Sequence, residues 1–359
     1  MEYIENRIRR IREKFLDIKI DGLFVTNPIN VSYLSGFTGE DSYLLITYTD
    51  VYFITDPRYE EQARAEIPKN FKRIVFFREK QKSLMSFLEA QKLHYLGIEE
   101  KFISYYFFQR LKNTLNIDHI VETNGIVESL RMIKSEEEIR FIKDAIEVSI
   151  TSMKESIRNI SQGITEQEVS AKFAYFLRLY GGQKESFDTI IASGPRGALP
   201  HGLPTEKHIG EDDVIVIDFG VKKRGYNSDT TRTIKLGVPT SLEKEVYSIV
   251  KEAQELAISF VKPGIKAKEL DKVARDYIMS KGYGDYFGHG LGHGVGMEIH
   301  EEPYISPTSN TELLPGMVIT IEPGIYLPGK FGVRIEDMVL ITSKGGEVLT
   351  HMEKKLYRV

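Results

Sequence analysis

The sequence of 359 residues contains no cysteine. This absence excludes disulfides, thiolate nucleophiles, cysteine-ligated zinc sites and iron–sulfur clusters. The chain also lacks any apolar run of about 18 residues, the length that a membrane span needs. Residues 1–20 mix charged and apolar side chains and have no unbroken apolar core of the kind found in signal peptides. We therefore expect a cytoplasmic protein that does not interact with membranes.

Charge of neither sign dominates the composition. Lysine and arginine total 48 and aspartate and glutamate total 52, for a formal net charge of −4. This balance argues against a strongly basic nucleic-acid-binding protein and against an acidic tail protein. A hydrophobic fraction of 41% fits a globular chain with an ample core, and the length is about twice that of a common domain. Two domains and no nucleic-acid partner are the expectation.

The first third of the chain alternates strand-like and helix-like segments. Short apolar or β-branched runs between turn residues predict strands at 22–26, 43–47, 51–55, 74–77 and 94–98. Helical spacing of apolar residues predicts helices at 1–20, 83–91 and 105–116. This alternation predicts a compact α/β domain over residues 1–124.

A repeated order of elements follows in residues 125–359. Capping boxes at Ser135, Thr165 and Thr240 each begin a helical pattern, and residues 266–281 form a further one. The first pair of helices precedes strand-like runs at 214–219 and 229–236, and the second pair precedes runs at 317–322 and 333–342. The order helix, helix, hairpin therefore occurs twice. It predicts an α+β domain with an internal pseudo-twofold duplication.

Each predicted hairpin carries two acidic residues inside apolar strands: Asp218 and Asp229 in the first, Glu322 and Glu336 in the second. If each hairpin closes at the middle of its turn, the two acids of a pair face each other with Cβ atoms about 5 Å apart. Like charges at this distance are unfavourable. Four carboxylates are more than one shared proton can neutralise, which favours bound cations.

Solvent exposure is the alternative explanation for these acids. One or two of them would then point outward or pair with Arg232 or Arg334.

A glycine-rich segment, residues 288–300, carries three of the eight histidines. Its glycines recur at every second residue, which suits an extended segment that another part of the molecule approaches closely. His289 and His293 share a face of such a segment, whereas His300 needs a bend to join them. One imidazole with four carboxylates suits Mn²⁺, Co²⁺ or Fe²⁺, with Zn²⁺ possible. Five ligands suffice for two ions about 3.5–4 Å apart.

Five short motifs together resemble the pita-bread metallopeptidases of family M24, and within them the proline-specific branch of aminopeptidase P and prolidase. The motifs are IDFG at 217–220, SDTTR at 228–232, GHGLGH at 288–293, IEPG at 321–324 and RIED at 334–337. Residues 27–36 (NPINVSYLSG) and 55–59 (TDPRY) resemble the creatinase-like N-terminal domain of that branch. The resemblance covers nearly the whole chain. It implies a creatinase-like α/β domain followed by a pita-bread catalytic domain.

The resemblance also implies roles for matching residues. The implied metal ligands are Asp218 on one ion, His293 and Glu322 on the other, and Asp229 and Glu336 between them. Water activated at the ions would attack the scissile carbonyl, and Glu322 would carry a proton to the leaving prolyl nitrogen. The implied supporting residues are His201, His289, His300 and Arg334. His201 and His300 would orient the substrate and stabilise the tetrahedral intermediate.

Substrate length is the point at which the sequence departs from many prolidases. A dipeptidase must bind the carboxylate of proline, ideally through arginine. Many prolidases similar to this chain carry arginine just after a His-Glu-x-Pro step, whereas here Tyr304 follows Pro303. We therefore predict an Xaa-Pro aminopeptidase with two Mn²⁺ or Co²⁺ ions, acting on peptides with proline at the second position.

An Xaa-Pro dipeptidase and a non-catalytic metal-binding interaction protein of the same fold remain the alternatives. A methionine aminopeptidase would share the ligands, but the N-terminal domain argues against it, and a creatinase-type hydrolase would lack the full ligand set. The resemblance further implies a homodimer.

Overall fold

The structure is a computed structural model that describes residues 2–76, 80–158 and 160–356. The chain divides into two compact units, Met1–Arg131 and Met132–Val359. Among the described residues, none of the helices combines the length and the apolar character needed to cross a membrane. Phe77, at the end of a predicted strand, lies outside the described residues.

The first unit is built on a mixed six-stranded sheet. Its strands are β1 (Gly22–Val25), β2 (Tyr43–Thr47), β3 (Val51–Thr55), β4 (Lys72–Val75), β5 (Tyr95–Ile98) and β6 (His119–Glu122). They lie in the order β4-β3-β2-β1-β5-β6. Strands β1, β2 and β3 pair in antiparallel fashion, whereas β4, β5 and β6 join by parallel pairing. The predicted α/β character of this unit is confirmed.

The described residues of the same unit form seven helices. They are α1 (Glu2–Glu13), α2 (Phe15–Ile18), α3 (Pro28–Ser35), α4 (Glu60–Glu66), α5 (Lys80–Ala90), α6 (Tyr105–Thr114) and α7 (Ile126–Arg131). Helix α3 occupies the NPINVSYLSG motif: the Asn27 side chain caps its first turn, and Gly36 ends it with a φ of 78°. Side chains of α5 and α6 pack on Phe24, Leu45 and Leu96 of the sheet.

Four long helices form two pairs in the second unit. They are α8 (Glu136–Ile157), α9 (Glu166–Leu179), α10 (Ser241–Phe260) and α11 (Ala267–Ser280). Helix α8 packs on α9, and α10 packs on α11. The predicted capping boxes at Ser135, Thr165 and Thr240 are all confirmed, each with both reciprocal hydrogen bonds present.

The strands of the first half of this unit are β7 (Lys184–Glu185), β8 (Ile190–Ser193), β9 (Val214–Phe219), β10 (Val221–Lys223), β11 (Tyr226–Asn227) and β12 (Thr230–Lys235). The strands of the second half are β13 (Gly292–Gly294), β14 (Glu301–Ile305), β15 (Val318–Ile321), β16 (Gly324–Leu327), β17 (Phe331–Arg334), β18 (Asp337–Thr342) and β19 (Gly345–Val348). The main sheets are β12-β9-β8 and β14-β13-β15-β18-β19. Each helix pair is thus followed by its own sheet, as the repeated sequence pattern predicts.

The register of the first hairpin differs from the prediction. Asp218 is paired with Thr231, so it does not face Asp229, which precedes β12. The cause is the turn: Arg224 and Gly225 both have positive φ, which places the turn one residue later along the chain than expected. The residue paired with Asp218 is thus two positions further along the chain than predicted. Because side chains alternate with a period of two, both carboxylates still lie on one face of the hairpin.

The second hairpin is interrupted where its acids lie. The run 333–342, predicted as one strand, forms β17 and β18 with Ile335 and Glu336 between them, and β16 is an additional strand. The register is nevertheless the one expected for Glu322 opposite Glu336. On either side of them, Ile321 pairs with Asp337 and Gly324 pairs with Arg334. Both glutamates therefore lie where the chain leaves the main sheet for the β16–β17 ribbon.

Candidate active site

One cavity of about 530 Å³ in the second unit brings the predicted site residues together. Those that line it are Asp218, Asp229, Glu322, Glu336, His201, His289, His293, His300 and Arg334. They come from β9, β13, β17 and the loops that follow or precede the strands. All nine predicted residues are thus at a single place, while the role of each stays a prediction.

Close approach of backbone explains the glycine alternation around His293. A Cβ atom on Gly292 would lie 2.1 Å from the Thr320 carbonyl oxygen, and one on Gly294 would lie 2.4 Å from the Glu302 carbonyl oxygen. The segment therefore fits between β14 and β15 without side chains at these positions. The tight fit fixes the backbone on both sides of His293.

Among the described residues, Asp229, His293 and Glu336 form a compact group of potential ligands. One ligand atom from each lies within 4.8 Å of the others, and all three residues are buried. The Nε2 atom of His293 is 3.5 Å from Asp229 Oδ2 and 3.4 Å from Glu322 Oε1. Asp218 contributes a further buried oxygen, Oδ1, which has no hydrogen-bond partner among the described residues.

Burial and mutual repulsion disfavour the charged form of these carboxyl groups. Burial, followed by the charges of Glu336, Asp218 and Glu322, raises the pKa of Asp229 well above its usual range. The pKa of Glu336 is likewise raised well above its usual range, first by burial and then by its acidic neighbours. Burial raises the pKa of Glu322 to about 7. The positive charge of Arg334 opposes these shifts.

The donor atoms at this cavity fit divalent cations. Burial, with a contribution from His300, lowers the pKa of His293 to about 4, so its ring is neutral near pH 7, the form that binds metals. Four carboxylates with one imidazole suit Mn²⁺, Co²⁺ and related ions. A cation at this place would also satisfy the unpartnered Asp218 Oδ1 and relieve the carboxylate repulsion.

The raised pKa values predict a signed pH dependence for the chelator-treated, metal-free protein. Folded Asp229, Glu322 and Glu336 hold protons more tightly than in the unfolded chain, so the stability that they contribute is lost as pH rises. For Glu322 the loss runs from its ordinary pKa of 4.5 through about 7. We expect the melting temperature of metal-free protein to fall between about pH 5 and 8, and the stabilisation by added Mn²⁺ to grow over that range. A constant or shrinking Mn²⁺ effect would contradict this.

Arg334 connects the acidic cluster to its surroundings and is almost completely buried. Its guanidinium donates to Asp218 Oδ2 at 2.7 Å, to the Tyr326 hydroxyl at 2.8 Å and to Thr231 Oγ1 at 3.0 Å. A fourth hydrogen bond goes to the Pro200 carbonyl oxygen, next to His201. Arg334 thus orients one candidate ligand and neutralises part of the charge of the cluster.

Tyr326 is a further part of the site that no sequence motif predicted. Its hydroxyl lies 3.0 Å from His289 Nε2, and His289 Nδ1 lies 2.8 Å from the Gly290 carbonyl oxygen. Because that carbonyl can only accept, Nδ1 carries the proton and Nε2 accepts from Tyr326. Burial lowers the pKa of His289 to about 4, which is consistent with this neutral ring. An aromatic residue in an apolar strand carries no sequence signal of such a role.

His300 and His201 lie at the open side of the cavity. The chain reverses between β13 and β14, and this places the His300 ring 4.3 Å, centroid to centroid, from that of His293. Both His201 and His300 are exposed, in contrast to the buried His293. They are therefore accessible to a molecule that enters the cavity.

Comparison with known proteins agrees with the fold and the site. The model of metallopeptidase family M24 matches residues 140–343, and that of the creatinase/prolidase N-terminal domain matches residues 7–133. The Xaa-Pro dipeptidase of Pyrococcus horikoshii is 42% identical, over 99% of this chain and 100% of the relative. The solved structure of an Xaa-Pro dipeptidase from Bacillus anthracis is 40% identical with a TM-score of 0.96, covering 99% of this chain and 100% of that one.

A further solved structure carries a different name. The X-Pro aminopeptidase from Thermotoga maritima is 39% identical with a TM-score of 0.90, covering 97% of this chain and 100% of that one. Two family matches together cover most of the chain, and relatives of matching length support them. They confirm a creatinase-like N-terminal domain and an M24 catalytic domain, the two domain types that the motifs predicted. The chain therefore belongs to metallopeptidase family M24, in its aminopeptidase P and prolidase branch, and is a metal-dependent peptidase.

Proposed function

We propose that this metallopeptidase is an Xaa-Pro aminopeptidase, which releases the N-terminal residue from peptides with proline at the second position. Relatives of matching length are named for Xaa-Pro peptide bonds, which supports the proline specificity. Such bonds need a dedicated enzyme, because proline has no N–H for a general peptidase to bind. The resemblance to this branch also supports a homodimer, and the cytoplasm is the proposed location.

Two divalent cations, Mn²⁺ or Co²⁺ with Zn²⁺ or Fe²⁺ as alternatives, are the proposed cofactors. The residues that would hold them are Asp218, Asp229, His293, Glu322 and Glu336. When bound, such ions supply Lewis acidity and activate water near neutral pH. The orphan Oδ1 of Asp218 and the mutual repulsion of the carboxylates support this assignment.

Glu322 is the proposed proton carrier. Its Oε1 atom accepts a hydrogen bond from Thr320 Oγ1 at 3.1 Å, which orients the carboxylate beside His293. In the absence of bound ions, burial raises the pKa of this carboxyl group to about 7, so its surroundings favour the uptake of a proton. Glu322 would receive the proton of the attacking water and deliver it to the prolyl nitrogen.

The substrate would be held by the open side of the cavity. His201 and His300 would donate hydrogen bonds to the scissile carbonyl oxygen as it gains negative charge. Phe187 and Leu203 give the cavity an apolar part that suits the proline ring. Arg334 and His289 would act indirectly, through Asp218 and Tyr326.

The observation that carries the choice of aminopeptidase is the small number of positively charged side chains in the cavity lining. Tyr304 lines the cavity and is 47% exposed, and it occupies the position at which many similar prolidases carry arginine. Among the described lining residues the single guanidinium is that of Arg334, which is committed to Asp218, Tyr326, Thr231 and Pro200. The lining therefore offers no uncommitted arginine or lysine to the carboxylate of a dipeptide.

Peptide length tests the proposal directly. We expect kcat/KM with Mn²⁺ to be about tenfold or more higher for Ala-Pro-Ala than for Ala-Pro, since the dipeptide buries an unpaired carboxylate. Tyr304→Arg should raise the relative rate on Ala-Pro about tenfold, and Tyr304→Phe serves as the matched control that leaves the ratio unchanged. Liquid chromatography of the released products measures both reactions. Cleavage of Ala-Pro alone would replace the aminopeptidase by a dipeptidase.

The second candidate is therefore an Xaa-Pro dipeptidase. It is favoured by the names of relatives at 42% and 44% identity and of the solved structure with a TM-score of 0.96. The same assay decides between the two activities.

A further inference from the structure

A buried polar cluster lies directly behind two of the proposed metal ligands. Its members are Arg232, Gln254 and Asp337, each no more than 1% exposed, together with Lys354 from the C-terminal segment. Asp337 Oδ1 accepts from Arg232 at 2.7 Å, and Asp337 Oδ2 accepts from Lys354 at 2.6 Å and from Gln254 at 2.9 Å. None of these residues lines the cavity, and the mechanism proposed above does not use them.

This cluster contacts the backbone where the chain leaves the main sheet, next to Glu322 and Glu336. Asp337 follows Glu336 and is paired with Ile321, which precedes Glu322. The Gln254 amide also contacts the Ile321 carbonyl oxygen at 3.4 Å, and the Arg232 guanidinium donates to the Glu336 carbonyl oxygen. The cluster therefore contacts the backbone beside both Glu322 and Glu336.

The C-terminal segment completes the cluster. Arg232 donates to the carbonyl oxygens of Met352 and Glu353, at 2.7 and 3.3 Å. Lys354 then bridges Asp337 and the Gln254 Oε1 atom, which it contacts at 2.7 Å. Without the Lys354 ammonium, Gln254 Oε1 would lose its donor in a buried place and Asp337 would lose one of its two cations. Such a loss favours rearrangement of the side chains that hold the backbone.

We propose that Lys354 is a positioning residue for metal binding: through Asp337 and Gln254, the C-terminal segment fixes the places of Glu322 and Glu336. The inference rests on the proposed function in one respect, the assignment of these two glutamates as metal ligands. Outer groups that orient ligands commonly change metal affinity by about 10–100-fold. Lys354 does not contact the ligand side chains and acts on them through their backbone.

The adjacent residue offers a matched control. Lys355 is also a C-terminal lysine, but its side chain is 65% exposed and pairs with Glu353 at the surface, whereas that of Lys354 is 17% exposed. Lys354→Met and Lys355→Met remove the same charge from adjacent positions. Mn²⁺ alone, titrated by calorimetry into the chelator-treated full-length protein, is the probe.

We expect the Mn²⁺ dissociation constant to rise about tenfold or more in Lys354→Met and to stay within about twofold of wild type in Lys355→Met. Lys354→Arg, which keeps a cation at the cluster, should recover most of the loss. If Lys354→Met does not fold, Lys354→Gln replaces it and should weaken binding by a smaller factor.

The melting temperature of the metal-free variants separates positioning from general stability. A lower melting temperature in Lys354→Met with an unchanged Mn²⁺ dissociation constant would overturn the inference, because the lysine would then be merely structural. If wild-type protein binds Mn²⁺ but Glu322→Gln and Glu336→Gln bind it equally well, the ligand assignment itself fails. That result would reject the proposed site as well as the role of Lys354, whereas the first would reject Lys354 alone.

Discussion

Glu336→Gln is expected to abolish peptide hydrolysis, lowering kcat/KM by more than about a thousandfold, and to weaken Mn²⁺ binding. Glu336 is 1% exposed and forms a compact group of potential ligands with Asp229 and His293. An amide keeps the size of the side chain but supplies neither the negative charge nor the second anionic oxygen that a shared metal ligand needs. Turnover of Ala-Pro-Ala and Mn²⁺ calorimetry measure the two effects.

The same substitution should have the opposite effect on the metal-free protein. The raised pKa of Glu336 shows that burial and its acidic neighbours disfavour its charge. Removal of that charge should raise the melting temperature of the metal-free variant above that of wild type near pH 8. The difference should shrink toward pH 5, where wild-type Glu336 holds its proton.

Glu347→Gln is the matched control for this variant. Glu347 is an exposed glutamate on β19 whose carboxylate pairs with Lys143 at the surface. Its substitution should leave activity, Mn²⁺ binding and melting temperature close to wild type. Near-normal turnover by Glu336→Gln would remove Glu336 from the metal site, whatever its effect on stability.

Local sequence signals predicted the framework of the site well. A capping box needs only a hydroxyl residue and a glutamate three positions later, and all three boxes are present in the structure. The histidine segment was predictable because glycine at every second position indicates close contact with neighbouring backbone. Such contact is found at Gly292 and Gly294. Motif resemblance added what local signals lack, the order and identity of the nine residues that line the cavity.

Turn geometry and long-range contacts limited the prediction. The pairing of Asp218 with Thr231 depends on positive φ at Arg224, a residue type that gives no indication of such a turn. Tyr326 contacts His289 across 37 residues, and Lys354 contacts Gln254 across 100. Such partners are chosen by tertiary packing, so the sequence around each of them carries no sign of the contact.

Arg334→Met is expected to reduce both stability and activity strongly. The substitution leaves Asp218 Oδ2, the Tyr326 hydroxyl and Thr231 Oγ1 without their buried cationic donor. Loss of one partner from a buried ion pair costs about 3–5 kcal/mol of unfolding free energy. Urea unfolding of the metal-free protein measures this loss.

The loss of activity in Arg334→Met has a separate cause. The guanidinium charge lowers the pKa of Asp229, Glu322 and Glu336 against the effect of burial, so its removal makes all three harder to ionise. The pH at which Mn²⁺ binding reaches half of its maximum should therefore rise, and kcat/KM near pH 7 should fall about a hundredfold. A merely structural arginine would lower stability without moving that midpoint.

Two further variants separate charge from geometry at this position. Arg334→Lys keeps the positive charge but cannot contact Asp218, Tyr326, Thr231 and Pro200 together, because an ammonium lacks the planar fork of a guanidinium. Its Mn²⁺ midpoint should stay near that of wild type while turnover falls. Arg158→Met, at an exposed arginine that pairs with Glu155, should change neither quantity. An unaltered Mn²⁺ midpoint in Arg334→Met would show that Arg334 holds the fold of the site without setting the charge of its ligands.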